Sequence, residues 1–274
     1  MTASRPERRE RHYLHGHPAS TLRSHGARTA ETSAAYLLPH LEPADVLLDV
    51  GCGPGSITLG LARYVPQGRV IGIDAAPAAL DAARETAIAA GDDRTKFRRG
   101  DVYALDLPDA SVDVVHAHQV LQHLADPVAA LREMRRVCRP GGIVAVRDAD
   151  YAAMFWHPQP AELEEWRSLY RRLAQHAGGD PDAGRRLPAW VRAAGFDDVR
   201  ITASTWAWAT REEVTSWARD WSERVRTPEL GGRALDLGLA SAADIDRISQ
   251  GWLDWGEQPD AMFVVPSVEA LARA

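Results

Sequence analysis

The stretch "LLDVGCGPGSITLGLA", residues 47–62, decides the fold. An apolar run comes first, glycines follow at positions 51, 53 and 55, and a helical pattern closes the stretch. Glycine has no side chain, so it permits tight turns and lets a ligand approach the main chain closely. A glycine-rich turn between a buried strand and a helix is typical of a nucleotide-binding loop. We therefore expect a ligand at residues 51–55.

Strand and helix patterns alternate on both sides of this loop. Apolar runs rich in Val, Ile and Leu predict buried strands over residues 45–51, 68–75, 96–102, 112–118, 141–150, 199–204 and 261–266. Helical patterns lie between them over residues 56–64, 77–90, 127–137 and 187–196. Such alternation with right-handed crossovers predicts an α/β protein, a Rossmann-like doubly wound, mostly parallel sheet with helices on both faces.

Composition indicates a globular protein without polyanionic partners. The chain has 274 residues, 45% of them hydrophobic, and a formal net charge of −6. This balance gives no indication of a nucleic-acid or membrane partner, so neither is expected. The basic N-terminus precedes no apolar stretch, and no run reaches the 18 apolar residues of a spanning helix. Cys52 and Cys138 have no metal-site spacing, so reduced thiols and a cytoplasmic location are expected.

Two segments interrupt the alternating pattern, at about residues 151–186 and 206–258. Both are predicted to be helical cap insertions, and both are unusually aromatic. All nine tryptophans follow residue 155, and the second segment contains Trp206, Trp208, Trp217, Trp221, Trp252 and Trp255. Tryptophans in this setting either pack the insertions onto the sheet or form the wall of a substrate pocket. The second interpretation favours a planar or hydrophobic substrate over a sugar or a peptide.

The residues after the second and third strands bear on which nucleotide is bound. A dinucleotide fingerprint requires a third glycine where this chain has Ser56. Asp74, at the end of the second strand, can accept hydrogen bonds from both hydroxyls of a ribose. That role suits NAD and S-adenosylmethionine equally. Asp101, after the third strand, is placed to accept from an adenine amine, or else it is a turn or helix-cap residue.

Five segments in order carry a family resemblance: "LLDVGCGPG", "VIGIDA", "RGDV", "VDVVHAHQVLQHLADP" and "REMRRVCRPGG". Together they resemble the class I S-adenosylmethionine-dependent methyltransferases, and most of all the branch of ubiquinone/menaquinone-biosynthesis and other small-molecule enzymes, many of them in secondary metabolism. The resemblance covers about residues 20–205. It implies a seven-stranded sheet with an antiparallel last strand, S-adenosyl-L-methionine as cofactor and a small-molecule methyl acceptor.

The resemblance also implies which residues contact the cofactor. The implied contacts are Gly51 and Gly53 in the loop, Asp74 with Ala75 at the ribose, Asp101 with the Val102 amide at the adenine, Asp49 at the methionine moiety, and the main chain near His118 at the amine. Arg28 is either the partner of the methionine carboxylate or a surface arginine.

The N-terminal part of the chain resembles the segment that closes over the cofactor. Residues 23–41 are expected to be helical, and residues 1–40 are expected to form a lid over a methyltransferase domain at 41–274. Tyr13 and His17 are its candidates for reaching the active site, because lids exclude water during reaction. The histidines around them lack the spacing of a metal site, so no metal is expected.

A methyltransferase needs a base near the ends of strands four and five. "HAHQVLQHL" offers His118 and His123, and "RDADY" offers Asp148 and Asp150. Histidine suits proton removal because its pKa lies near neutrality. His123 is either the base or a scaffold residue, whereas His118 is better placed to line the cofactor. The acceptor atom stays open between oxygen, nitrogen and ring carbon.

Three alternatives to a small-molecule methyltransferase remain at this point. A nicotinamide-dependent oxidoreductase would use the same loop and Asp74, but the missing third glycine and Asp101 disfavour it. A non-catalytic cofactor-binding protein of the same fold is the second. A nucleic-acid methyltransferase is the third, and the acidic balance and the lack of an Asn-Pro-Pro-Tyr-like tetrapeptide disfavour it. The sequence does not indicate an oligomeric state.

Overall fold

A computed structural model describes residues 28–274, in which eight strands form one sheet. The strands are β1 (Val46–Val50), β2 (Arg69–Asp74), β3 (Lys96–Arg99), β4 (Val112–His118), β5 (Cys138–Ala149), β6 (Phe155–His157), β7 (Val199–Trp208) and β8 (Met262–Arg273). The α-helices are α1 (Ala30–Ser33), α2 (Ser56–Ala62), α3 (Pro77–Ala90), α4 (Pro127–Val137), α5 (Ala161–His176), α6 (Leu187–Ala193), α7 (Arg211–Val225), α8 (Arg233–Asp236) and α9 (Ala242–Gly256). Short 3-10 turns cover Leu38–His40, Leu121–His123, Tyr151–Ala153 and Ala183–Arg186, and a π-turn covers Pro228–Gly232.

The sheet has the order β3-β2-β1-β4-β5-β8, and its first five strands are parallel. β8 is antiparallel to β5, which confirms the expected antiparallel last strand. β5 and the three-residue β6 both pair with one edge of β8, β6 with residues 262–264 and β5 with residues 267–273. β7 pairs with the opposite edge of β8. The α/β Rossmann-like architecture is confirmed, and β6 adds one strand to the expected seven.

Helices cover both faces of the sheet, as a doubly wound fold requires. On one face, α1 and α2 bury Ala30 and Leu61 against Leu47 of β1. On the other face, Met134 of α4 and Val191 of α6 are buried in the core that includes β4 and β5. Removing such apolar side chains from water contributes roughly 1.5–3 kcal/mol each. The carboxyl ends of β1, β2 and β4 consequently meet at one edge, where the glycine loop lies.

The expected helix over residues 23–41 is wrong in its described part. Only Ala30–Ser33 is α-helical, and a separate 3-10 turn follows at Leu38–His40. Pro39 lies within the 3-10 turn, so it does not account for the end of α1 at Ser33. The helix ends at Ala34, whose φ of −134° and ψ of 18° lie outside the helical region.

The second half of the chain forms an aromatic core of its own. Trp166, Trp221, Trp252 and Trp255 are each at most 2% exposed, so the core-packing interpretation is confirmed for them. Trp166 meets Trp252 edge to face with ring centroids 4.9 Å apart, which is a favourable aromatic geometry. β7 extends to Trp208, so Trp206 and Trp208 lie on a strand rather than in a helical insertion.

Two further expectations concern cysteines and membrane spans. Cys52 and Cys138 are buried free thiols. Burial raises the pKa of the Cys138 thiol to about 12, which keeps it protonated. Among the helices of residues 28–274, none is long and apolar enough to cross a membrane.

Candidate cofactor and acceptor site

The glycine loop after β1 has a backbone that only glycine adopts readily. Gly51, Gly53 and Gly55 all have positive φ, at 71°, 53° and 82°. A Cβ added to Gly51 would lie 2.5 Å from a methyl of Val120, so close packing also requires glycine there. A Cβ on Gly53, by contrast, meets no described atom within 4 Å. The main chain at Gly53 therefore faces open space, which a ligand could occupy.

Asp74 lies beside this loop at the end of β2. One carboxylate oxygen accepts from the Gly53 amide at 3.0 Å, and the other accepts from the Ala76 amide at 2.9 Å. A carboxylate has about four acceptor positions, so capacity for two ribose hydroxyls remains. The side chain is half-buried, and Ala75 beside it is exposed. The structure therefore places these two predicted ribose contacts next to Gly53.

Asp101 and Val102 follow the end of β3, and both are half-buried. Asp101 accepts from the Tyr103 amide at 3.0 Å, which is the turn role that the sequence left open. β3 neighbours β2 in the sheet, so Asp101 and Asp74 lie at the ends of adjacent strands. The predicted adenine contact at Asp101 stays a prediction, and the neighbouring strand ends are consistent with it.

Asp49 is 3% exposed, and both of its oxygens are engaged by the protein. One lies 2.7 Å from Nδ1 of His116, and the other accepts from the Thr58 hydroxyl at 2.5 Å. The parallel register places Asp49 directly opposite His116 on β4. The sequence did not predict these two partners, because pairing between distant strands leaves no local pattern. The role of Asp49 toward a methionine moiety stays a prediction.

The carboxyl ends of β4 and β7 meet at His118 and Trp206. Their ring centroids lie 5.4 Å apart. The indole nitrogen of Trp206 donates to the Thr32 carbonyl at 2.9 Å, which fastens the N-terminal segment over this point. The Arg28 guanidinium lies 5.0 Å from the Trp206 ring centroid, within cation–π range. Arg28, which is half-buried, therefore lies beside Trp206, and its role toward a methionine carboxylate stays a prediction.

His123 lies in the 3-10 turn after β4, and its Nε2 is 3.1 Å from the side-chain nitrogen of Gln122. Burial and the positive charge of Arg28 lower the pKa of His123 to about 4. The imidazole is therefore unprotonated at neutral pH, but a pKa of about 4 makes it a weaker base than the near-neutral histidine that the sequence led us to expect. Of the two predicted catalytic histidines, His118 is the one whose ring lies against Trp206.

The two aspartates of "RDADY" differ in environment. Asp150 forms two 2.6 Å hydrogen bonds with Arg185, an ion pair that marks it as structural. Asp148 is fully buried, and one of its oxygens accepts from the Gln122 amide at 3.1 Å. Burial raises the pKa of Asp148 to about 7. Asp148 therefore titrates near neutral pH, which makes it the rival of His123 as a base.

Sequence reasoning did not identify Arg147 or Tyr36 as candidate site residues, and both carry buried polar atoms without a hydrogen-bond partner among the described residues. Arg147 precedes Asp148 on β5 and is fully buried, with its guanidinium 4.5 Å from the Trp206 ring centroid. Its pKa is lowered by burial. An arginine within an otherwise apolar strand pattern, "GGIVAVRDAD", is the signal that could have identified it, because charged residues are almost never fully buried without a reason.

Some predictions fall outside what the structure covers. Tyr13 and His17, the candidates of the expected lid, lie outside the described residues. Within residues 28–274, no group of three or more His, Cys, Asp or Glu side chains is arranged to hold a metal ion.

Comparisons with known proteins show which family the chain is similar to. The sequence model of a family described as "Methyltransferase domain" matches residues 41–219. An uncharacterized methyltransferase of Schizosaccharomyces pombe is 35% identical, with 92% of each chain covered. A probable methyltransferase of Aspergillus luteorubrus is 37% identical, with 95% of this chain and 96% of the relative covered.

A solved structure supports the fold at lower sequence identity. Phosphoethanolamine N-methyltransferase 2 of Haemonchus contortus, in complex with S-adenosylhomocysteine, superposes with a TM-score of 0.54 at 18% identity. The alignment covers 88% of this chain and 52% of that one. At this identity the likeness concerns the fold alone.

Proposed function

Because the chain belongs to the class I S-adenosylmethionine-dependent methyltransferases, we propose that it methylates a small planar metabolite bound beside Trp206. The coarser function is established by the family: the enzyme uses S-adenosylmethionine and transfers its methyl group. The nicotinamide-dependent alternative is set aside on the same ground. The identity of the acceptor, the acceptor atom and a place in secondary metabolism belong to the proposal.

The observation that carries the proposal is the position of Trp206. Its indole lies against His118 at the end of β4, one strand away from the glycine loop after β1. In open α/β sheets, ligands bind outside the carboxyl ends of the strands. A flat apolar ring at that edge favours a planar acceptor. Trp208 and Trp217, stacked at 4.0 Å and partly buried, extend the aromatic surface away from the strand end.

The cofactor half of the site is proposed to use the residues around the loop. The open main chain at Gly53 leaves space for the methionine moiety, and Arg28 is positioned to pair with its carboxylate. Asp74 would accept from the ribose hydroxyls and Asp101 from the adenine amine. When bound, S-adenosylmethionine supplies a methyl group on a positively charged sulfur, which is activated for transfer.

The protein's own contribution is to orient the acceptor and to take up its proton. Alignment at about 3–3.5 Å removes most of the entropic barrier to such a transfer. We assign the proton-accepting role to His123, whose imidazole is held neutral by burial and by Arg28. His118 would line the space between cofactor and acceptor, with its ring against Trp206.

Calorimetry followed by product analysis tests the proposal. The protein is titrated with S-adenosylhomocysteine and, separately, with NAD, and only the first is expected to bind. It is then incubated with S-adenosylmethionine and a panel of aromatic phenols, amines and acids matched with polar sugars and peptides. Mass spectrometry should detect methylated products among the planar compounds. Methylation confined to the sugars or peptides would contradict the assignment of Trp206.

Replacing Gly53 by alanine should weaken S-adenosylhomocysteine binding at least tenfold. A Cβ there would occupy the space that we assign to the cofactor. Gly91, at the end of α3, is a matched control, because it too has positive φ (67°) and no atom within 4 Å of an added Cβ among the described residues. Both substitutions should cost roughly 1–2 kcal/mol of folding free energy. Calorimetry should show lost affinity for Gly53→Ala alone, and equal affinities in both variants would place the cofactor elsewhere.

We also propose that residues 1–40 act as a lid on the domain at 41–274. The bond from Trp206 to Thr32 supports this, because it brings the start of the described chain onto the strand ends. Deleting residues 1–20 should leave the thermal unfolding of the sheet unchanged while turnover falls at least tenfold, since lids exclude water. A deletion of residues 1–11, which keeps Tyr13 and His17, is the control. Full turnover without residues 1–20 would refute the lid.

A further inference from the structure

Arg147 has unused hydrogen-bonding capacity in a fully buried position. Its Nε donates to the Ser204 hydroxyl at 3.2 Å and lies 3.5 Å from a Glu269 oxygen. Both terminal amino groups, Nη1 and Nη2, are buried and make no hydrogen bond within residues 28–274. A buried donor without an acceptor has a free-energy cost, and the cost is larger when the donor carries charge. A ligand that accepts from both amino groups would remove this cost.

A second buried donor lies near the first. The Tyr36 hydroxyl is buried and also lacks a hydrogen-bond partner in the described part of the chain. Its pKa is raised by burial and by the charge of Glu269. Tyr36 belongs to the segment that covers this face of the sheet. Tyr36 packs against the cluster that contains Ala145, and Ala145 and Arg147 project from the same face of β5, so both unpartnered donors lie on one face of the sheet.

Two acidic groups, Glu269 and Asp148, act electrostatically on both of these donors. Glu269 offsets Arg147, but its oxygens already accept from the hydroxyls of Thr202 and Ser204. Arg28 adds a second positive charge over Trp206, the same ring that Arg147 contacts. The neutral His123 adds no compensating charge. A planar carboxylate can accept two parallel hydrogen bonds from the forked guanidinium.

We propose that Arg147, assisted by Tyr36, binds a carboxylate group of the methyl acceptor. The inference rests on the proposed function, because it places the acceptor at the ends of β4 and β5. The register pairs Arg147 with His118, so a carboxylate at Arg147 adjoins the predicted methyl-transfer position. Arg147 is then the residue that selects planar acids over neutral compounds of the same shape.

The test compares the binding of benzoate with that of benzamide, two planar probes of nearly equal size. Calorimetry is carried out with and without saturating S-adenosylhomocysteine. Benzoate should bind wild-type protein at least tenfold more tightly than benzamide. Arg147→Met should abolish this preference without altering S-adenosylhomocysteine affinity, and Tyr36→Phe should reduce benzoate affinity several-fold. Equal binding of the two probes to the wild-type protein would overturn the inference.

Two further variants keep the result interpretable. Arg147→Met leaves Glu269 buried without its countercharge, so the double variant R147M/E269Q serves if the single one fails to fold; it too should lose the benzoate preference. Arg200→Met changes an exposed arginine on β7 and should retain the preference.

If Arg147→Met instead lowered S-adenosylhomocysteine affinity and spared benzoate, the guanidinium would hold the cofactor's own carboxylate and the inference would be wrong. Failure of the wild-type protein to bind S-adenosylhomocysteine would count against the proposed function, while the benzoate comparison would still decide the role of Arg147.

Discussion

Replacing Asp74 by alanine is expected to weaken S-adenosylmethionine binding by at least about 100-fold. Two hydrogen bonds from ribose hydroxyls to a carboxylate contribute roughly 1.5–3 kcal/mol each, and about 1.4 kcal/mol corresponds to a factor of ten. The same substitution also removes the acceptor for the Gly53 and Ala76 amides, which loosens the loop. Calorimetry on the folded variant measures the loss.

A double-mutant cycle separates the direct contact from the loosening of the loop. The 2′-deoxyribose analogue of S-adenosylhomocysteine lacks one of the two hydroxyls that Asp74 is predicted to bind. It should bind wild-type protein more weakly than the parent compound, and the difference should vanish in Asp74→Ala. Asp81→Ala, which removes an exposed carboxylate from α3, is the control and should leave both affinities unchanged. An equal effect of the missing hydroxyl in both proteins would remove Asp74 from the ribose site.

Replacing His123 by asparagine should lower the turnover of an acceptor found in the product screen by about 100-fold or more, which is the usual contribution of a general base. The affinity for S-adenosylhomocysteine should stay within about twofold. His176→Asn, at an exposed position near the end of α5, is the control and should have wild-type turnover. Wild-type turnover in His123→Asn would show that His123 only supports the local structure.

The pH dependence of turnover distinguishes the two candidate bases. A base is active when unprotonated, so activity falls as the pH drops through its pKa. With the pKa of His123 lowered to about 4, turnover should be constant from pH 8 to pH 6 and decline only in more acidic buffer. If Asp148 is the base, the decline should centre near pH 7, where its raised pKa lies. An inflection near 7 that disappears in Asp148→Asn would therefore transfer the role from His123 to Asp148.

The same carboxyl group links pH to stability. Asp148 is protonated more readily in the folded protein, where its pKa is about 7, than in the unfolded chain. Its raised pKa consequently costs stability as the pH rises from about 4 to 7. The turnover of Asp148→Asn and of wild type should therefore be compared after correction for the fraction of each protein that is folded. Thermal unfolding at each pH measures that fraction.

Much of the fold was predictable because its signals are local. A buried parallel strand needs a continuous apolar run, and the loop of residues 51–55 needs glycine at each positive φ. The strands at 46–50, 69–74 and 112–118 accordingly agree with the predicted ones within one residue. The end of the N-terminal helix at Ser33 was not predictable in the same way, because no proline or glycine marks it in the sequence.

The sequence by itself determined the class of fold, the loop and the strand-end carboxylate Asp74, because each depends on neighbours in the chain. Only the tertiary structure decided which distant groups meet. It paired Asp49 with His116, brought Arg28 over Trp206, and left the Arg147 guanidinium buried with donors to spare. The physical reason is that strand order and register, which set these contacts, arise from packing the whole sheet and leave no periodic pattern in any one segment.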